Sequence, residues 1–192
     1  KVGIVGGAHT SLVPVGFVAC IDLVRYAVED EQLCRWLDRL IQSEIIPNLG
    51  LPIDYAKEFA VSVIDRFKNP FIKHELHAIA LNSMTKFKTR ILPQMLTYIE
   101  TKKSIPPLMS FSLAALIYYY RGQRTIMGSD GTVSIEDYTL QDNPEFLDLY
   151  RELWKDIDTM DSVKVQSIVH TILSLENHWD IDLSTLPELE ET

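Results

Sequence analysis

The residue types best suited to chemistry lie in a cationic window. Between Arg66 and Arg90 the chain carries Arg66, Lys68, Lys73, Lys86, Lys88 and Arg90 against the single acid Glu75, in a protein whose formal net charge is −9. A positive island on an acidic chain suits a small anion, although a solvated basic face has the same composition. Within the window, Asn82, Lys86 and Arg90 follow at i, i+4 and i+8, which is one face of an α-helix. Cations can take a carboxylate and the amide can take hydroxyls. The triplet therefore fits a polyhydroxy chain ending in a carboxylate, and an exposed polar stripe shares its spacing.

Two other motifs invite chemistry and lose it on inspection. His74 and His77 sit in HELH, which is not the metal-binding HExxH, and no third ligand follows at a convincing spacing, so no metal is expected. The opening KVGIVGGA resembles a strand running into a phosphate-binding glycine turn. Gly3, Gly6 and Gly7 do not make G-x-G-x-x-G, and no second strand with a ribose-binding acid follows, so this segment alone does not bind a nucleotide.

The elements that position these residues read as helices almost throughout. Residues 11–28 form an apolar run with Pro14 near its start, where a helix tolerates proline. Residues 31–46 place Leu33, Trp36, Leu37, Leu40 and Ile41 on one face, and Pro47 to Gly50 end the helix. Asp54 is a candidate N-cap for a helix to Arg66. Residues 72–87 read as one helix, with Asn69 and Pro70 as the turn before it. Pro93 opens a segment to Thr101, and 108–121 reads as a buried helix in which Phe111, Leu116 and Tyr118 to Tyr120 pack the core. Residues 122–143 turn to glycine, Asp, Ser and Thr with brief alternation, as in a loop or small hairpin, and DGTVSIED lacks the ligand spacing of a calcium loop. Helices resume at 144–157 and 161–176, and the acidic tail from Asp180 is expected to fray. The fold class is all-α, a single helical domain over residues 1–192 with one irregular loop or hairpin.

Composition narrows the class further. Hydrophobic residues make up 46% and charged residues 23% of the 192, which supports a packed core and excludes a disordered tail. The acidic balance disfavours nucleic acid or an anionic membrane as partner. No apolar run is long and unbroken enough to span a bilayer, and the start lacks the basic region and cleavage site of a signal peptide. Cys20 and Cys34 then read as free thiols, and the cytoplasm is the expected compartment.

Several of these stretches together are similar to one family. Lys1 followed by His9 in K-V-G-I-V-G-G-A-H-T, the run Arg66-Phe67-Lys68-Asn69-Pro70, and IALNSMTKFKTRILP with Lys86 and Arg90 resemble the polyol-specific long-chain dehydrogenases, the mannitol dehydrogenase family. HELHAIALNSMTKFKTRILPQ and DNPEFLDLYRELW look closest to its tagaturonate reductase (altronate oxidoreductase) branch. The resemblance implies a multi-helix C-terminal domain like that of 6-phosphogluconate dehydrogenase-type enzymes. It also implies an N-terminal Rossmann-type domain, absent from this chain, that holds most of the NAD. The small anionic sugar-acid substrate would bind here, with Lys86, Asn82 and Arg90 as its contacts.

The resemblance assigns the catalytic roles to Lys1 and His9. Oxidising a secondary alcohol moves a hydride to the nicotinamide and a proton to a base, and a lysine is that base only if its pKa falls from about 10.4 toward neutrality. His9 would orient the substrate oxygen. One position departs from the pattern: Gly6 stands where the family carries an asparagine that donates to the oxyanion, a donor whose loss costs about 10²–10³ in rate in other enzymes. Two further readings remain open, a mannitol or fructuronate dehydrogenase domain, and a helical interaction module without chemistry of its own.

Overall fold

The structure, a computed structural model, describes residues 2–186 and 189; Lys1 lies outside the described residues. Its axis is α1 (Val2–Val18), a helix apolar on every side. Such a helix is stable only when surrounded. Ile4, Ala8, Leu12, Val13, Val15 and Phe17 are all buried, and α4, α5, α6 and α8 pack around it. Two glycines one turn apart set how closely the chain around residues 45–49 approaches. A Cβ on Gly3 would stand 2.5 Å from Leu49 Cδ2, and one on Gly7 would stand 3.1 Å from Ile45 Cδ1. The equally apolar α8 (Pro107–Tyr119) lies alongside, with Ser112 Oγ donating to the Ser11 carbonyl at 3.1 Å.

Helix α1 departs from its expected span. The helix begins some nine residues before the expected position, so Pro14 sits in its interior rather than near its start. Burial on all sides outweighs the lost N–H of proline and the low helix propensity of four glycines. The apolar run also breaks after Val18: Cys20 takes a left-handed φ of 63°, and a short α2 (Val24–Glu29) follows.

The next stretch is helical from 31 to 48 but not uniformly so. Asp30 caps α3 (Glu31–Arg39), accepting from the N–H groups of Gln32 and Leu33. The helix then widens into a π-helical turn, Leu40–Ile45, and tightens into a 3₁₀ turn, Ile46–Asn48. The widening turns Glu44 inward. Its carboxylate is 2% exposed and accepts from the N–H groups of Leu108 (2.9 Å) and Met109 (2.8 Å), capping α8 from another helix. Helix α4 (Ile53–Phe67) is capped by Pro52, with Asp54 in its first turn instead of at the cap.

The single helix expected over 72–87 is two. A short α5 (Leu76–Ile79) stops at Ala80, Asn82 turns left-handed with φ 54°, and α6 (Ser83–Arg90) starts afresh. Asparagine tolerates that conformation better than most residues. Helix α7 (Leu92–Lys102) follows. Of the aromatic set expected in the core, Tyr119 and Tyr120 are buried, whereas Phe111 is half exposed.

Residues 122–143 contain the small hairpin: β1 (Gln123–Met127) pairs antiparallel with β2 (Val133–Asp137), Thr125 opposite Ile135. Arg124 anchors it. This buried guanidinium lies 4.3 Å from the Phe17 ring centroid and pairs with Asp22 (2.8 Å) and Glu136 (2.5 Å). Asn143 caps α9 (Pro144–Trp154) and Asp161 caps α10 (Ser162–Leu173), and a short α11 (Glu176–Trp179) closes the set. The tail expected to fray is packed where it is described, with Leu183 and Leu189 in the core. Among the described residues no helix is long and apolar enough to cross a membrane.

Candidate functional site

The N-terminal half of α1 presents Val5 and His9, one turn apart, to a cleft of about 160 Å³. The opposite wall is the last turn of α4, where Val63, Arg66 and Phe67 recur at i, i+3 and i+4. The chain then reverses through Asn69, whose side-chain oxygen accepts from the Phe71 N–H at 3.0 Å, and runs extended to His74. Residues 74–76 are pinned to the segment before α2: Val24 N–H donates to the His74 carbonyl (2.9 Å) and Leu76 N–H to the Asp22 carbonyl (2.8 Å). The short bridge fixes His74 at the cleft mouth, although its side chain is exposed.

His9 is held by its neighbours' rings. It stacks on Phe67 at 4.1 Å and 11°, and His74 meets it edge-on at 5.5 Å. Its Nε2 is buried without a hydrogen-bond partner. Burial lowers its pKa to about 4, and the nearby charges of His74, Arg90 and Lys86 push in the same direction. At neutral pH the imidazole is uncharged, so it can accept or donate one hydrogen bond to a substrate oxygen.

Helix α6 packs on α1 and brings two cations of the sequence window close enough for their charge to act on His9. Lys86 and Arg90 lie one turn apart, and both are felt by His9. Lys86 Nζ donates to the Ile79 carbonyl at 2.7 Å, closing the end of α5, and an ammonium has two further N–H donors to offer. Burial lowers its pKa, Arg90 lowers it further, and Asp142 raises it. Arg66 and Arg90 have no ion-pair partner among the described residues.

The rest of the window disperses. Lys88 turns away to pair with Asp180 at 2.8 Å. Asn82 heads α6 in its left-handed conformation, so the expected i, i+4, i+8 face is continuous only from Lys86 to Arg90. Lys1 lies outside the described residues, and Gly6 is buried within α1. Two cleft residues escaped the sequence reading as ligand contacts: Arg66 was legible as one charge among six, and His74 as one of a rejected metal pair. His77 is used elsewhere, with its Nδ1 3.2 Å from the Tyr119 hydroxyl and its ring on Phe17.

A larger cavity, about 840 Å³, opens at the other end of α1 between α3, α8 and α10. Its walls include Trp36, Phe111 and Trp154, and none of the residues lining it is charged. A polyhydroxy anion would lose its hydration there and gain no cation, so the smaller cleft is the better site for one.

The profile of the mannitol dehydrogenase C-terminal domain matches residues 1–192. The chain belongs to that family. It is 44% identical, over 98% of its length, to altronate oxidoreductase of Yersinia pestis. Over its whole length it is 46% identical to altronate oxidoreductase of Klebsiella pneumoniae (strain 342). It spans 37% and 38% of those two relatives. The fold is similar to that of Pseudomonas fluorescens mannitol 2-dehydrogenase, solved as a ternary complex with NAD and D-mannitol (TM-score 0.77, 19% identity, 100% of this chain and 35% of that one). It is also similar to that of D-sorbitol dehydrogenase in substrate-free form (TM-score 0.68, 20% identity, 97% of this chain and 40% of that one). The all-helical C-terminal domain expected from the sequence is thus the fold observed.

Proposed function

We propose that the chain is the substrate-binding and proton-handling domain of an NAD-dependent secondary-alcohol dehydrogenase that interconverts a keto-uronate (tagaturonate) and an aldonate (altronate). The observation carrying this reading is a cleft that Arg66 and His74 share with a ring-clamped His9, with Lys86 and Arg90 near enough that their charge helps keep the imidazole neutral. A sugar acid presents a carboxylate for the cations and hydroxyls for the imidazole and amides. The printed name of the relatives, altronate oxidoreductase, supports altronate as one member of the pair.

The described residues do not fit a dinucleotide on their own. The glycine-bearing opening is the helix α1, and the sheet present is a two-stranded hairpin, so no strand–turn–helix cradle exists for a pyrophosphate. We therefore assign the NAD to an N-terminal domain of the kind implied by the longer relatives, and confine this chain's part to substrate and proton. Lys1, eight residues before His9 in sequence, is the proposed proton carrier. His9 holds the reacting oxygen, Lys86 and Arg90 hold the carboxylate, and Asn82 is a further candidate contact.

The test is an assay of the chain joined to its nucleotide-binding domain, following NADH oxidation with tagaturonate, fructuronate and fructose. Turnover of the acids in preference to fructose is expected, and no turnover with any of the three overturns the reading. Lys86→Ala should weaken tagaturonate far more than fructose; equal losses would remove the carboxylate role.

A further inference from the structure

Helix α6 carries two of the site's cations but lacks a cap of its own. It is eight residues long, and Asn82 at its cap position makes no side-chain hydrogen bond to it. Its start is held from a distance instead. The Asn82 N–H donates to the Gln141 carbonyl at 2.9 Å. The Met84 N–H is shared between Asp142 Oδ2 (3.2 Å) and the Tyr120 hydroxyl (3.1 Å), while that hydroxyl donates to the same carboxylate oxygen. The other oxygen, Oδ1, accepts from the Asn143 N–H at 2.8 Å. Asp142 thus supplies, from 58 residues away, the acceptor that a capping side chain usually supplies locally. Its charge also suits the positive end of a helix.

The segment around Asp142 comes from the link between the hairpin and α9, so the helix bearing Lys86 and Arg90 is fixed by a part of the chain that lines neither cavity. Tyr120 is 2% exposed, so removing the carboxylate leaves a buried hydroxyl and a helix N–H competing for partners. The groups that feel this carboxylate are Lys86 on α6, Tyr119 at the end of α8 and Tyr120 just after it, Tyr150 on α9 and His178 on α11.

We propose that Asp142 is a positioning residue for the cationic face of α6, holding the first turn of that helix so that Lys86 and Arg90 stand beside His9. The inference rests on the reading of the site given above. Asp142→Asn keeps an acceptor oxygen and drops the charge, whereas Asp142→Ala removes both.

In the two-domain enzyme, Asp142→Ala should raise the KM for tagaturonate by about tenfold or more with a smaller change in kcat, and Asp142→Asn should restore KM to within about threefold of wild type. An unchanged KM in Asp142→Ala, or identical losses in the two variants, overturns the proposal. A second measurement needs no turnover: the titration of Lys86, followed by NMR of ¹³C-labelled lysine in the 192-residue chain. Asp142→Asn should lower its midpoint, because the one anion raising it is gone. An unmoved midpoint overturns the proposal. A lowered midpoint in a chain whose two-domain form turns over none of the three sugars supports it while sinking the dehydrogenase reading.

Discussion

Replacing Glu44 tests the packing of the two central helices most directly. Among the described residues its carboxylate is the acceptor for two N–H groups at the start of α8, those of Leu108 and Met109. In Glu44→Ala both lose their acceptor. Met109 is fully buried, which makes its orphaned N–H expensive, while Leu108 is only part-buried and can recruit water. A buried unsatisfied donor costs about 1–3 kcal/mol and a replaced hydrogen bond about 1, so the variant should lose about 2–4 kcal/mol. Glu44→Gln keeps one acceptor oxygen but turns an NH₂ toward the other donor, and should lose about half as much. Urea denaturation of the chain, read by circular dichroism, measures both. A Glu44→Ala variant within about 0.5 kcal/mol of wild type would refute the argument, since that is the scatter of ordinary surface substitutions. The pH dependence adds a second check. Burial raises the Glu44 carboxyl above its ordinary value, against the pull of the two N–H donors and Arg39. An acid with a raised folded pKa keeps its proton in the native state after the unfolded chain has released it. Its contribution is therefore largest below the unfolded value and declines as pH rises through the folded one. The stability difference between wild type and Glu44→Gln should fall with rising pH over that window.

Three further outcomes follow from buried polar groups. The His9 imidazole should titrate near pH 4 in a ¹³C- or ¹⁵N-histidine NMR experiment, and because its folded pKa is lowered, the stability it confers should be lost as pH falls from about 6.5 toward 4; a midpoint above 6 would contradict its burial. His178 is 3% exposed with neither nitrogen partnered, packed on Phe146 at 4.1 Å and lowered to about 4 by burial and Lys88. His178→Phe should accordingly match or exceed wild-type stability at pH 7 and hold it better at pH 5, and a marked loss by thermal melting would show a hidden partner. Arg124→Met removes two ion pairs and the contact with Phe17, so amide exchange across residues 123–137 should accelerate while α1 stays protected; unchanged exchange would mean the hairpin is held by other contacts.

The sequence was most informative where a single short-range pattern carried the signal. Leu33, Trp36, Leu37, Leu40 and Ile41 at helical spacing, helices resuming near 144 and 161, and the glycine-rich hairpin all appear where the residue types place them, because turns and amphipathic faces act over a few residues. The resemblance in RFKNP and IALNSMTKFKTR led to the family for the same reason. Periodicity failed at α1, where packing by surrounding helices overrides four glycines and an internal proline. It failed again at Asn82, where a left-handed residue breaks one apparent helix into two.

What the sequence alone determined, then, is the helical class, the family and the stock of cations from which an anion site could be built. The tertiary structure decided which of them could share the proposed site. Lys86 and Arg90 join His9 because α6 is restarted and held at its first turn by Asp142, Arg66 and His74 are delivered by the end of α4 and a backbone bridge to Asp22–Val24, and Lys88, two residues from Lys86, is turned away to Asp180. Charge composition adds along a chain without regard to direction, whereas a binding site depends on where each charge points, and that is set by contacts between residues tens of positions apart.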